Sequence, residues 1–204
     1  MKNANPLSAN DTMLLDNNNK ILNQPMQGKN TTTTFHESTA FAGLRQLFEG
    51  QLKDIYWAEQ ALVKAIPSMI KLAGSTELKD ALKTHLIETR EQINRCIEVF
   101  ESIDILPEND VCEAMKGLIE EAKELMDEFE EGHARDAAII CAAQKIEHYE
   151  IATYGTLVSL AGILGETEAE SILEEILDEE KNTNNILSEI SMNTFTIAAS
   201  KEAH

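Results

Sequence analysis

The segment KIEHYEIATYGTL, Lys145 to Leu157, reads as helix, with an apolar stripe through Ile146, Ile151, Tyr154, Leu157 and Val158. Glu147 and Glu150 fall inside that stripe. At about 100° per residue, other helical stretches turn acids inward in the same way. Glu59 lies among Leu52, Ile55, Leu62 and Ile66. Glu88 sits at the border of an arc set by Leu78, Leu82, Thr89, Ile93, Cys96 and Phe100, with His85 and Gln92 within its edge and Glu91 further out. Glu180 lies inside the arc of Leu173, Ile176, Leu177, Leu187 and Ile190. A buried, unpaired carboxylate costs several kcal/mol or takes up a proton. Several at one level need a cation, and Arg90, Lys145 and Lys181 point elsewhere. Two divalent metals sharing bridging carboxylates, each shell completed by a His, Gln or further Glu, is the known solution in helical bundles. An oxygen-rich donor set suits iron or manganese over zinc or copper.

The depth of these acids follows from the elements that carry them. A first long helix, capped by Ser38 or Thr39, runs to about Ala73, and Pro67 inside it is expected to kink it. Ser75 or Thr76 caps a second helix to about Ile103, and Pro107 interrupts the chain. A third, shorter and acidic helix spans roughly 109–130. A fourth runs from about Ala134 to Leu164, ended by Gly165, and a fifth from Glu166 or Thr167 to about Met192. Glu59 and Glu88 flank the first turn at about fifteen and fourteen residues, and Glu150 and Glu180 flank the second at about fifteen each. At 1.5 Å per residue each lies roughly 20 Å from its turn. Short turns within each pair and a long middle segment make this an all-α four-helix bundle of two antiparallel hairpins, with an additional helix in the crossover between them. The strings IKLAGSTELKDAL and VSLAGILGETEAESIL, each helix, LAG, turn, helix, hint at an internal repeat.

Composition sets the bounds. The chain has 204 residues, 43% hydrophobic and 26% charged, with 9 Gly and 4 Pro, as a helical globular protein does. Its net charge of -19 argues against nucleic acid or an anionic membrane surface as partner. Cys96, Cys112 and Cys141 show no metal spacing and read as small hydrophobes on helices in a reducing compartment. No apolar run approaches a membrane span and no secretory leader is evident, so the cytoplasm is the expected location. Residues 1–38 are rich in Asn, Thr and Gln and read as a disordered arm, 39–192 as the bundle, and 193–204 as a fraying tail. The face of Glu120, Glu121, Glu124, Glu128 and Glu131 reads as solvated, and His148 as a surface or subunit-contact residue.

AEQAL around Glu59, HLIETREQ from His85 to Gln92, AQKIEHYEIATYGTL from Ala143 to Leu157 and LDEEKNT from Leu177 to Thr183 together resemble the YciE/YciF family of ferritin-like, stress-associated bacterial proteins. The resemblance covers roughly residues 40–192. It implies a ferritin-like bundle, a homodimer, and a carboxylate-bridged dinuclear metal centre, iron first and manganese second. Carried over residue by residue, it implies Glu59, Glu88, Glu147, Glu150 and Glu180 as ligands. The ferritin-like signature E-x-x-H is missing: Glu91 follows Glu88 by three, and Thr183 follows Glu180 by three. His85, Gln92 and Glu91 are the candidates to complete the shell, and Tyr154 or Tyr149 a redox-active or hydrogen-bonding neighbour. The activity such a centre would support is reaction with O₂ or peroxide, ferroxidase chemistry included. The competing reading is a structural or interaction bundle with a weak or vestigial metal site. A large iron-storage shell has no support in the sequence.

Overall fold

The computed structural model describes residues 33–202. The chain divides into two units, Met1–Glu37 and Ser38–His204. Within the first, only 33–37 are described, as helix, so the expected arm lies almost wholly outside the described residues. Among the described residues there are five helices and no strand: α1 Thr33–Leu72, α2 Thr76–Ser102, α3 Glu113–Glu128, α4 His133–Leu164 and α5 Thr167–Glu202.

Side-chain contacts give the direction of each rod. Arg45 pairs with Glu166, Tyr154 bonds Glu59, and Asp136 bonds Gly74, so α1 and α4 run antiparallel. Thr183 bonds Glu88, Gln92 bonds Glu180, and Arg95 pairs with Glu179, so α2 and α5 run antiparallel. The rings of Tyr56 and Phe100 meet edge to face at 5.6 Å across the α1–α2 hairpin. The order is therefore up, down, down, up. Helices α2 and α4 point the same way, which forces the connection between them to travel the length of the bundle, with α3 inside it.

The inner faces are those the periodicity predicts. Phe48, Leu52, Ile55 and Leu62 of α1, Leu78, Leu82 and Phe100 of α2, Tyr154 and Leu157 of α4, and Leu173, Ile176 and Leu187 of α5 are buried together. Each large apolar side chain stabilises the fold by about 1.5–3 kcal/mol. Helix α4 is buried on more than one face because α3 covers a second side of it, bringing Met115, Ala122 and Met126 into the core. The crossover is tied down by side chains: Tyr149 donates to Asp54 at 2.8 Å and lies 3.0 Å from the Cys112 sulfur, which also caps α3 by accepting from the Met115 N–H.

Helix α1 continues through Pro67, as the sequence reading has it; the proline sits on the exposed face, where water can serve the Val63 carbonyl left without a donor. Two local features depart from the sequence reading. Helix α5 continues past Met192 to Glu202, since no Gly or Pro follows Gly165 to break it, and Thr194 is still buried. The two LAG strings serve different ends. Gly74 lies in the turn beyond α1, whereas Gly162 lies inside α4 against Glu170; it is Gly165 that takes the left-handed conformation, φ 78°, and closes α4.

The first turn is held from across the bundle. The buried carboxylate of Asp136 accepts from the Gly74 N–H at 2.6 Å and the Ser75 N–H at 3.0 Å. It therefore fixes α1 and α2 against the start of α4. Substitution Asp136→Ala removes both bonds and is expected to cost about 2 kcal/mol of unfolding free energy. A urea titration checks this, and a loss below about 0.5 kcal/mol would contradict the clamp.

Candidate metal centre

Four helices deliver acids or a histidine to one layer. Glu59 comes from α1, His85 from α2, Glu147 and Glu150 from successive turns of α4, and Glu180 from α5; none is more than 4% exposed. His85, Glu147, Glu150 and Glu180 each offer a ligand atom within 4.8 Å of all the others. The His85 Nε2 is 3.3 Å from Glu147 Oε1. Glu59 joins the same field, and Tyr154 donates to its Oε1 at 2.6 Å. The Cys96 sulfur lies 3.5 Å from the Tyr154 hydroxyl oxygen.

The other residues singled out from sequence fall into place around this layer. Glu88 is half-buried and stands at the rim, where the Thr183 hydroxyl donates to it at 3.4 Å. Gln92 is buried, and its Nε2 donates to Glu180 Oε1 at 2.5 Å and to Glu179 Oε2 at 3.0 Å. Glu91 is exposed and accepts a hydrogen bond from Asn94 of its own helix, and His148 is exposed on α4. Of the three candidates to stand beside the carboxylates, the bundle brings His85 into the group of four. It precedes Glu88 by three residues, reversing the order of the usual signature. Tyr149 turns toward α1 and α3 instead of the layer.

One pairing escaped the sequence reading. Arg95 and Glu179 form a partly buried pair beside Gln92. The signal was available in the spacing of Glu88, Gln92 and Arg95, one turn apart on α2, but a helical wheel of α2 alone does not show that α5 places Glu179 opposite.

Electrostatics sets the character of the layer. Burial raises the Glu59, Glu147 and Glu150 carboxyls well above the usual range, and repulsion from neighbouring carboxylates, Glu180 foremost, adds to it. Glu180 is pushed up to about 7, chiefly by burial, with hydrogen bonds from its partners pulling the other way. Burial lowers His85 to about 4, so its imidazole is neutral at neutral pH and carries a free lone pair. Apart from the contact of Glu147 with Glu180, both oxygens of Glu147, both of Glu150, one each of Glu59 and Glu180, and the His85 Nδ1 have no hydrogen-bond partner. Native proteins leave few buried polar atoms in that state. This donor set, carboxylate oxygens with one neutral imidazole and no thiolate among the four, fits divalent iron or manganese.

The sign of the pH dependence follows. A carboxyl raised above its unfolded value stabilises the fold fully below that value and loses the contribution as pH rises through the folded pKa. For Glu180 the window is about 4.5 to 7, worth about 3 kcal/mol. His85 acts oppositely, since its lowered pKa costs stability as pH falls from 6.5 toward 4. Comparing metal-free wild type with Glu180→Gln cancels the histidine. The variant is expected to gain about 3 kcal/mol on the wild type between pH 5 and 8 in urea unfolding; parallel curves would contradict the assignment.

Comparison with known proteins places this geometry in a family. Residues 43–200 match the family described as Domain of unknown function (DUF892). Protein YciF of Escherichia coli K12 is 42% identical over 161 residues, 78% of this chain and 97% of that protein. The crystal structure of that protein, described as the E. coli stress protein YciF, superposes with a TM-score of 0.73 over 75% of this chain and 97% of its own. YcfI of Rhodopseudomonas palustris, described as a candidate structural protein, is 42% identical with a TM-score of 0.70 over 71% and 92% of the two chains. A Xanthomonas campestris protein at 22% identity shares the fold, with a TM-score of 0.61 over 79% and 99%. With the family match covering most of its length and its helices running up, down, down, up around a buried carboxylate layer, the chain belongs to the DUF892 family, that of the ferritin-like YciF proteins.

Proposed function

We propose that this protein binds a dinuclear metal centre, iron first and manganese second, in the core of its bundle and acts in bacterial stress physiology. One observation carries the reading: four buried ligand groups lie within 4.8 Å of one another while most of their oxygens lack any donor. Glu59, Glu147, Glu150, Glu180 and His85 would hold the metals, with Glu88 at the outer edge. Two irons held there would supply one-electron steps to O₂ or peroxide. The chain's own residues do the rest. The apolar walls around the layer exclude water. Tyr154 holds one Glu59 oxygen and leaves the other free for a cation. Gln92 likewise holds one Glu180 oxygen. Neutral His85 offers nitrogen without adding positive charge. The stress role draws on the E. coli relative.

The absence of E-x-x-H on α2 and α5 leaves a carboxylate-rich shell, which favours binding over fast oxidation chemistry. The second reading, a structural bundle with a weak site, draws on the description of the R. palustris relative and on the carboxyls' capacity to take up protons in place of a metal. The net charge of -19 is consistent with the absence of a nucleic-acid partner, and no described helix is long and apolar enough to cross a membrane. A homodimer, in line with the family resemblance, is part of the proposal, and sedimentation mass checks it.

Anaerobic Fe(II) titration of metal-stripped protein is expected to reach about two ions per chain. Saturation should raise the melting temperature, since an ion that binds only the folded state at 100 times its Kd adds about 2.7 kcal/mol. Glu150→Gln is expected to lose at least tenfold in affinity. Fewer than one ion per chain, with a melt indifferent to chelator, would establish the structural reading.

A further inference from the structure

A layer this deeply buried poses a problem of access. A hydrated cation must pass between helices to reach it. At the level of the layer most of the lining is apolar or fully buried: Leu62 and Ile66 on α1, Leu82 on α2, Tyr154 and Leu157 on α4. The α2–α5 seam differs. Glu88 and Glu179 are each half-buried there, with the Glu179 side chain 32% exposed, and Thr183 and Arg95 accompany them.

Gln92 joins this seam to the layer. One nitrogen, Nε2, bonds both Glu179 at the rim and Glu180 in the core, so the two accepting oxygens are separated by no more than the sum of those two bond lengths. The amide's other atom, Oε1, is buried without a partner, and Gln92 is 1% exposed. An unpartnered buried carbonyl oxygen beside two carboxylates is a donor without a cation. Rim carboxylate, bridging amide and core carboxylate thus form a continuous polar run from half-buried Glu179 to buried Glu180. Arg95 holds Glu179 by an ion pair, so a positive charge already occupies the place beside the rim carboxylate.

We propose that the α2–α5 seam is the route by which divalent cations reach the buried carboxylates, with Glu179 the first ligand to capture the ion and Gln92 the latch between Glu179 and Glu180. The proposal rests on the metal-centre reading and adds its path. In the empty state the amide N–H groups tie the two carboxylates together. An arriving cation competes with Arg95 for Glu179, and turning of the Gln92 amide presents Oε1 in place of Nε2, so the ion passes inward by exchange of one oxygen ligand for the next. The latch also discriminates: a monovalent ion gains too little from two carboxylates to displace a guanidinium.

Stopped-flow absorbance with Co(II) as probe, on the metal-stripped full chain, tests this. Glu179→Gln is expected to slow association at least tenfold with the final Co(II) stoichiometry unchanged, and to lose the salt dependence that a steering carboxylate imparts. Arg95→Gln is expected to load severalfold faster. Circular dichroism establishes that both variants fold; should Glu179→Gln fail to, Glu88→Gln is expected to show the same slowing to a smaller degree. Wild-type rates in Glu179→Gln, or a fall in its stoichiometry with an unchanged rate, would overturn the route while leaving the metal centre standing. A wild type that takes up no Co(II), Fe(II) or Mn(II) would overturn both.

Discussion

Carboxyl groups crowded into a layer that excludes water cannot all be ionised unless positive charge joins them. Glu59, Glu147, Glu150 and Glu180 are in that situation, and burial and mutual repulsion both act to keep protons on them. A bundle that wanted only stability would place Leu at these positions, since well-packed apolar residues are at least as stabilising as a buried charge network. The acids are instead held at matched depth by features remote from them. Asp136 clamps the first turn, Gly165 closes α4 at the second, and the α3 crossover lets α2 and α4 run the same way so that His85 faces Glu147.

Tyr154 and Gln92 show how that layer is kept usable. Each satisfies one oxygen of a carboxyl pair and leaves the second bare. A fully satisfied network would be more stable and would have nothing left to offer an ion. The neutral state of His85 belongs to the same logic. Burial removes its charge, and with it a positive charge inside the layer that could have neutralised the acids internally. What remains is a set of donors whose deficit is positive charge.

Much of this was legible in the sequence. The stripe of Ile55, Leu62 and Ile66 fixes which way Glu59 faces, and equal spacing from the two turns fixes its level relative to Glu88, Glu150 and Glu180, because a helix has a constant rise. Period and rise are properties of one rod. What lay beyond them were properties of two rods together. That Gln92 reaches α5, that Arg95 meets Glu179, and that Tyr149 turns to Asp54 and Cys112 depend on how far one helix is shifted against its neighbour. The same limit explains why His85 and Gln92, both within the edge of the α2 arc, separate only when α4 and α5 are placed beside α2. The end of α5 was set at about Met192 because chain ends commonly fray, while the burial of Thr194 depends on neighbours that a reading of one helix does not include.

The donors are divided unequally between the two hairpins. The first supplies Glu59 and His85, and the second supplies Glu147, Glu150 and Glu180. Neither hairpin alone supplies the whole donor set, and a slip of one past the other by a single helical turn, about 5.4 Å, would pull the set apart. Any ion lodged there acts as a rivet between halves of the molecule, and its affinity becomes a gauge of whether they have docked in the correct register.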